Sequence, residues 1–323
     1  MENAIDEYIG KLTVGQTKTF ENMALTPIFG PSRDLGYLVL DEALSHGLKI
    51  SETNSVGSLG VANGTGKEVL IMQGEYIVGG SQNRMFAQNI YLEKGYSGRV
   101  PVNCVQQGRW TTHVPKEFVS SKNMAPRMVA SAAYRGQGEV WNTVNYISAQ
   151  SNFVSPTQDY EEVRRHRDPD AARLSSQFSY TPGAVGLLIV TNKGAQRFSV
   201  DLFDSGRTME KNFEKIVKAA AMEASAGGKI VGEHAPDQLL KRVRDANTTE
   251  RKAVSLGNDL VIQGTDLEGS ALLFDGQPLY LNFGSASGAP PSGGNPWHNQ
   301  GPSTGFIRPR PGFWQGNEGI RFR

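Results

Sequence analysis

Residues 74–84 read GEYIVGGSQNR and residues 106–110 read QQGRW. Together they gather a carboxylate, paired glycines, four amides and two guanidiniums beside apolar runs of strand length. An arginine fork grips a carboxylate or phosphate through two parallel hydrogen bonds. Gln82, Asn83, Arg84, Gln107 and Arg109 are therefore candidates for holding a polar, anionic ligand. The same side chains suit a buried network that locks a turn to its neighbouring strand, and the letters leave both readings open. Glu75, with Asp201 and Asp204 in DLFD, supplies the carboxylates for acid–base work or a divalent ion. Asp204 is also placed to cap the helix that follows it.

Gly79-Gly80 would let backbone N–H groups approach a phosphate, but no helix start or lysine follows as a P-loop requires. A turn or bulge is the expected role. Cys104, the single cysteine, alternates into a core strand and is expected to be a buried thiol. The five histidines stand singly, with no HxH or HExxH pairing, so neither a metal centre nor a cofactor is expected. None of these residues forms a catalytic fingerprint, and whether the chain is an enzyme stays open.

The elements that must carry them begin with three apolar runs, 69–72, 89–92 and 100–105, each of strand length. Extended candidates at 17–26 and 37–40, a short helix at 41–48 ended by Gly47, and a turn at 62–68 precede or join these runs. The first 110 residues thus read as almost wholly β, with sandwich or barrel spacing. A helix is expected at 139–150, with Val140, Trp141, Val144 and Ile147 on one face, then a charged helical stretch at 159–174 that Pro169 should interrupt. A hairpin at 183–203, a long amphipathic helix at 208–225, a short helix at 236–245 and strands at 259–263, 269–274 and 277–283 follow. The expected fold class is α+β: a β-rich, sandwich- or barrel-like, mostly antiparallel core with a helical insertion and one long packed helix. One large domain is expected over 1–285, β-rich to 110, helical over 111–178, then strands plus helix over 179–285. Its two β segments should pack together, since the second offers few strands to close a sheet alone.

The chain has 323 residues, 38% hydrophobic and 20% charged, with a formal net charge of +1. That balance excludes a chain-wide polyanion binder, and no nucleic-acid partner is expected. No apolar run approaches the roughly 20 residues needed to span a bilayer, so no membrane partner is expected. The opening MENAIDEYIGKL is not a secretory signal, and a lone cysteine fits a reducing compartment, so a cytoplasmic location is expected. Residues 286–323 form a Gly/Pro-rich tail that cannot bury a core alone. Trp297, Phe306, Arg308, Arg310, Phe313, Trp314 and Phe322 recur along it, the residue types that anchor interfaces. A homo-oligomer, with this tail clasping a neighbouring copy, is the expectation.

The ordered blocks EVLIMQGEYIVGGSQNR, PVNCVQQGRW and GAVGLLIV…FSVDLFDS…FEKIVKAAAMEA resemble the family named for its association with ADP-ribosylglycohydrolases, rhodaneses and phosphatases, over about residues 15–285. The resemblance implies a setting in the processing of NAD-derived or ADP-ribose compounds, with a nucleotide-like small molecule as ligand. It brings no catalytic mechanism. The family pattern places a glutamate at Gln107; here Gln106 and Gln107 are both amides, which weakens an acid–base role there. Three readings follow: an accessory or ligand-binding protein, an enzyme on an ADP-ribose-like compound using Glu75 or the two aspartates, and a self-assembling building block. The first is preferred.

Overall fold

The computed structural model describes residues 2–108, 117–192, 196–224, 229–230 and 235–286. Its largest sheet has nine strands, every pair antiparallel. From one edge the order is Thr13–Val14, Met23–Phe29, Gly186–Asn192, Gln196–Phe203, Gln277–Ser285, Leu267–Phe274, Asn258–Gln263 and Asn247–Arg251, with Lys18–Phe20 also on Met23–Phe29. Both faces are covered, which is why GLLIVT is a continuous apolar run rather than an alternating one. Helix Gly206–Ala224 lays Met209, Phe213, Ile216 and Val217 over Leu187, Ile189, Phe203 and Leu272. On the opposite face, helix Glu2–Gly10 and short helix Pro236–Lys241 bring Ile5, Ile9 and Leu240 to Leu188, Val190, Val200 and Leu281.

A second body of strands lies between those two halves of the sequence. A three-stranded sheet, ordered Ile90–Leu92, Val69–Ile71, Leu38–Val39, contains the one parallel pairing among the described strands. A six-stranded sheet runs Val119–Met124, Glu75–Val78, Arg84–Phe86, Ser97–Cys104, Ser58–Asn63, Leu48–Glu52. The two share one core containing Val69, Ile71, Leu92, Ile77, Phe86 and Val102. Helices Arg127–Ala132, Gln137–Gln150 and Tyr160–Ser175 pack on the remaining side of the Glu75–Val78/Arg84–Phe86 hairpin, against Tyr76 and Met85.

The β-rich, mostly antiparallel α+β class read from the sequence holds. Three details differ. The β segments are not divided as expected: strands before residue 30 join the late sheet, to which residues 186–285 supply six strands rather than few. The opening segment is helical, because Ile5, Tyr8, Ile9 and Leu12 recur at helical spacing and are all buried. Helix Tyr160–Ser175 runs through Pro169. Buried Tyr160, Val163, Ala171 and Leu174 hold it on both sides of the proline, and packing against Gly206–Ala224 outweighs the lost hydrogen bond.

Candidate functional site

The glycine turn has a tertiary cause. Gly79 and Gly80 have φ of +123° and +51°, and a Cβ on them would lie 2.3 Å from the Glu117 carbonyl oxygen and 2.2 Å from the Phe118 ring. Residues 117–118 cover the turn, and side chains are excluded from it. The amides that follow are spent on locking it down. Asn83 accepts the Gly79 N–H at 3.1 Å and donates to both Asp159 oxygens at 3.1 and 3.0 Å. Gln82 donates to the Gln106 carbonyl at 2.8 Å and accepts from Arg84 at 2.9 Å. Arg84 is fully buried, 3.8 Å from Glu52. Asp159 in turn caps helix Tyr160–Ser175 by accepting the Glu161 N–H at 3.0 Å, and burial raises its carboxyl to about 6.

Gln82, Asn83 and Arg84 therefore converge on Gln106, Asp159 and Glu52. Gln107 is exposed and donates its backbone N–H to Gln158 at 3.3 Å. Arg109 lies outside the described residues, as do Trp297, Phe306, Arg308, Arg310, Phe313, Trp314 and Phe322. Cys104 is a buried free thiol whose ionisation burial pushes up.

The candidate carboxylates go three separate ways. Glu75 meets Lys215 at 2.7 Å and accepts the Met72 N–H at 2.8 Å, while Lys215 also reaches Asp41 at 2.8 Å. Burial raises the Glu75 carboxyl; desolvation disfavours the Lys215 ammonium, yet Glu75 and Asp41 hold it above its usual range. This triad, buried at Glu75 and Lys215 and half-buried at Asp41, pins the long helix to the hairpin and to helix Leu40–Ser45. Asp204 accepts the Tyr37 hydroxyl at 2.5 Å, its other oxygen is buried without a partner, and burial raises its carboxyl to about 7. It is not the helix cap: Ser205 takes that role, accepting the Thr208 N–H at 3.2 Å. The shorter Ser205 side chain sits one residue nearer the first turn.

Asp201 opens onto a cavity. On strand Gln196–Phe203 it stands opposite Asn282, which stands opposite Ser270 on the next strand. This polar row crosses a sheet face otherwise built of residues such as Leu187, Ile189 and Leu272. The long helix and helix Arg127–Ala132 roof it, leaving a recess lined by Arg127, Tyr134, Arg197, Asp201, Tyr280 and Asn282 among others. The recess encloses about 740 Å³ with its open mouth, of which about 60 Å³ is free for a water-sized sphere to move in. The smaller figure sets what enters as the walls stand; a water needs about 10–15 Å³ by that measure.

Tyr280 donates to Asp201 Oδ1 at 2.5 Å, and burial raises the Asp201 carboxyl although Tyr280 and Arg127 oppose this. Arg127 donates to Asn282 at 3.3 Å and to the Glu268 carbonyl, and its Nε is buried with no partner. Arg197 donates to the Ser285 and Ala286 carbonyls at 3.2 and 3.0 Å. Gly284 is required here, since a Cβ would press to 2.2 Å on the Phe198 carbonyl oxygen and to 3.0 Å on Arg127 Nε. Behind the row, Asn282 and Asn89 donate to Ser270 at 3.0 and 2.8 Å, while Ser270 and Tyr134 donate to Gln73 at 3.2 and 2.7 Å.

Asp201 was named from sequence; Arg127, Tyr134, Arg197, Tyr280 and Asn282 were not. The letters hide them: in SVDLF and LYLNFG Asp201 and Asn282 alternate with apolar residues, which reads as the solvent face of a strand, whereas this sheet is covered on both faces and buries them. Among the described residues no group of three His, Cys, Asp or Glu is placed to hold a metal. The arrangement can orient a small polar group by hydrogen bonding.

Fold and recess together define a β-rich α+β protein with a small, arginine-flanked polar cavity under its longest helix. The chain belongs to the ARG and Rhodanese-Phosphatase-superfamily-associated Protein domain family, whose model matches residues 11–283. No curated protein and no solved structure matches it.

Proposed function

We propose that the chain is an accessory, ligand-binding protein in the metabolism of NAD-derived, ADP-ribose-type compounds, and that its ligand enters the Asp201 recess. Membership of the family supports the setting through the name alone. The observation that carries the binding role is the recess: a buried acid, two arginines and two tyrosines around empty space. Small-molecule sites have this form, a concavity with a few convergent polar groups. With about 60 Å³ free, it accepts one end of such a compound, the remainder lying at the mouth. The Gln82–Arg84 group, by contrast, has its hydrogen-bonding capacity directed at its own neighbours. Calorimetric titration of the full chain with ADP-ribose tests the reading. Saturable binding that Asn282→Leu weakens is expected; wild-type affinity in that variant, or no heat at millimolar ligand, would end it.

A further inference from the structure

We propose that the part of the ligand seated in this recess is a small oxyanion of the phosphate class, held by Arg127 and Arg197 with the Asp201 carboxyl as a further donor. This rests on the ligand-binding reading above and adds the chemistry of the group that enters. Three observations carry it. Arg127 reaches the recess with two nitrogens engaged and Nε buried without a partner, a donor for which an acceptor is missing. Arg197 lines the same space from strand Gln196–Phe203. Asp201 is 8% exposed, and its Oδ1 is the oxygen that accepts Tyr280. A proton on that buried carboxyl belongs on Oδ2, where it becomes a donor.

The remaining charged and titratable groups around Asp201 are consistent with this. Tyr280 and Asn282 face it from strand Gln277–Ser285, Arg127 from its short helix and Tyr134 from the turn after it, and Glu223 from the long helix. Glu223 is turned to the Met128 N–H, which it accepts at 2.8 Å. Burial raises the Asp201 carboxyl, and with its proton held two guanidiniums face one lining carboxylate, Glu223. The volume excludes a nucleotide but holds several waters or one oxyanion. Deprotonating Asp201 would place a second negative charge beside the first, so binding should weaken as pH rises.

Sulfate is the probe, because its charge is constant from about pH 5 to about pH 8. The full chain should bind it more tightly at a pH where the Asp201 carboxyl holds its proton than at one where it has ionised. Asp201→Asn keeps a donor but cannot ionise, and should bind sulfate equally at both. Arg127→Ala should weaken binding about tenfold or more, the loss of a charged hydrogen bond. Should that variant not fold, the Asp201→Asn profile decides alone. No sulfate binding at millimolar concentration, or the same pH profile in wild type and Asp201→Asn, overturns the proposal. ADP-ribose that binds without displacing sulfate also overturns it, and leaves the ligand-binding role standing. Sulfate bound with the expected profile, but no ADP-ribose, removes the ADP-ribose setting and leaves the oxyanion seat.

Discussion

Asp204 is a carboxyl whose environment works against its charge. Its folded-state value of about 7 lies above the ordinary 3.8, chiefly through burial. Between those values the folded chain keeps a proton that the unfolded chain has released, so stability falls as pH rises from about 4 to about 7, and falls no further above that. Asp204→Asn removes the group from this balance. Urea unfolding near pH 4.5 and pH 8 should show the variant losing less stability than wild type, by at most about 3 kcal/mol. Identical losses would place the titration elsewhere. Arg84 gives a second test. Fully buried and bonded to Gln82, it should cost about 3 kcal/mol or more when replaced by Ala, read as a lowered melting temperature. A variant that melts normally but binds anions poorly would return Arg84 to the ligand site. At this scale the sequence was legible in residue type and not in partner. QNR was visible as a polar cluster, but its partners Asp159 and Glu52 lie far along the chain. The recess was harder still, since its polar residues come from separate segments, from Gln73 and Arg127 to Asn282 and Ser285.

Among the elements, the two longest helices carry the clearest consequences. Pro169 is exposed within helix Tyr160–Ser175, where it removes one backbone hydrogen bond. Pro169→Ala should raise stability by about 1–3 kcal/mol, measured by chemical denaturation. A loss would mean that the helix needs its bend. Lys215 behaves oppositely. Buried between Glu75 and Asp41, it cannot be replaced by Met without leaving two carboxylates facing each other. Lys215→Met should therefore destabilise by about 3–5 kcal/mol at neutral pH. Element identity was mostly legible, because period and punctuation agree. The strands at 258–285 and the Asp275-Gly276 turn, with φ of +52° and +70°, follow from local rules. Strand Asn247–Arg251 was missed because NTTER is polar and sits on the sheet edge, where no apolar alternation is needed. The proline-bearing helix was misjudged because its support is tertiary.

For the whole molecule, assembly through the C-terminal stretch is a proposal resting on residue types between 297 and 322. The structure improves the test of it. Ala286 donates its N–H to Asp266 at 2.8 Å and strand Gln277–Ser285 is internal to the sheet, so the chain should be cut after Ala286 and no earlier. Light scattering should then give fewer subunits per particle than the full chain; an unchanged subunit number removes the assembly role. Among the described residues no helix is long and apolar enough to cross a membrane. The strand order has a further consequence, for synthesis. The sheets that contain residues 38–124 have all their strands early, whereas Gln277–Ser285 is inserted between Gln196–Phe203 and Leu267–Phe274. A chain leaving the ribosome must hold Gln196–Phe203 with one side unpaired until that last strand arrives, an open edge able to capture a neighbouring nascent chain. Tyr280 and Asn282 arrive with it, so a product terminated before residue 277 lacks that wall of the recess.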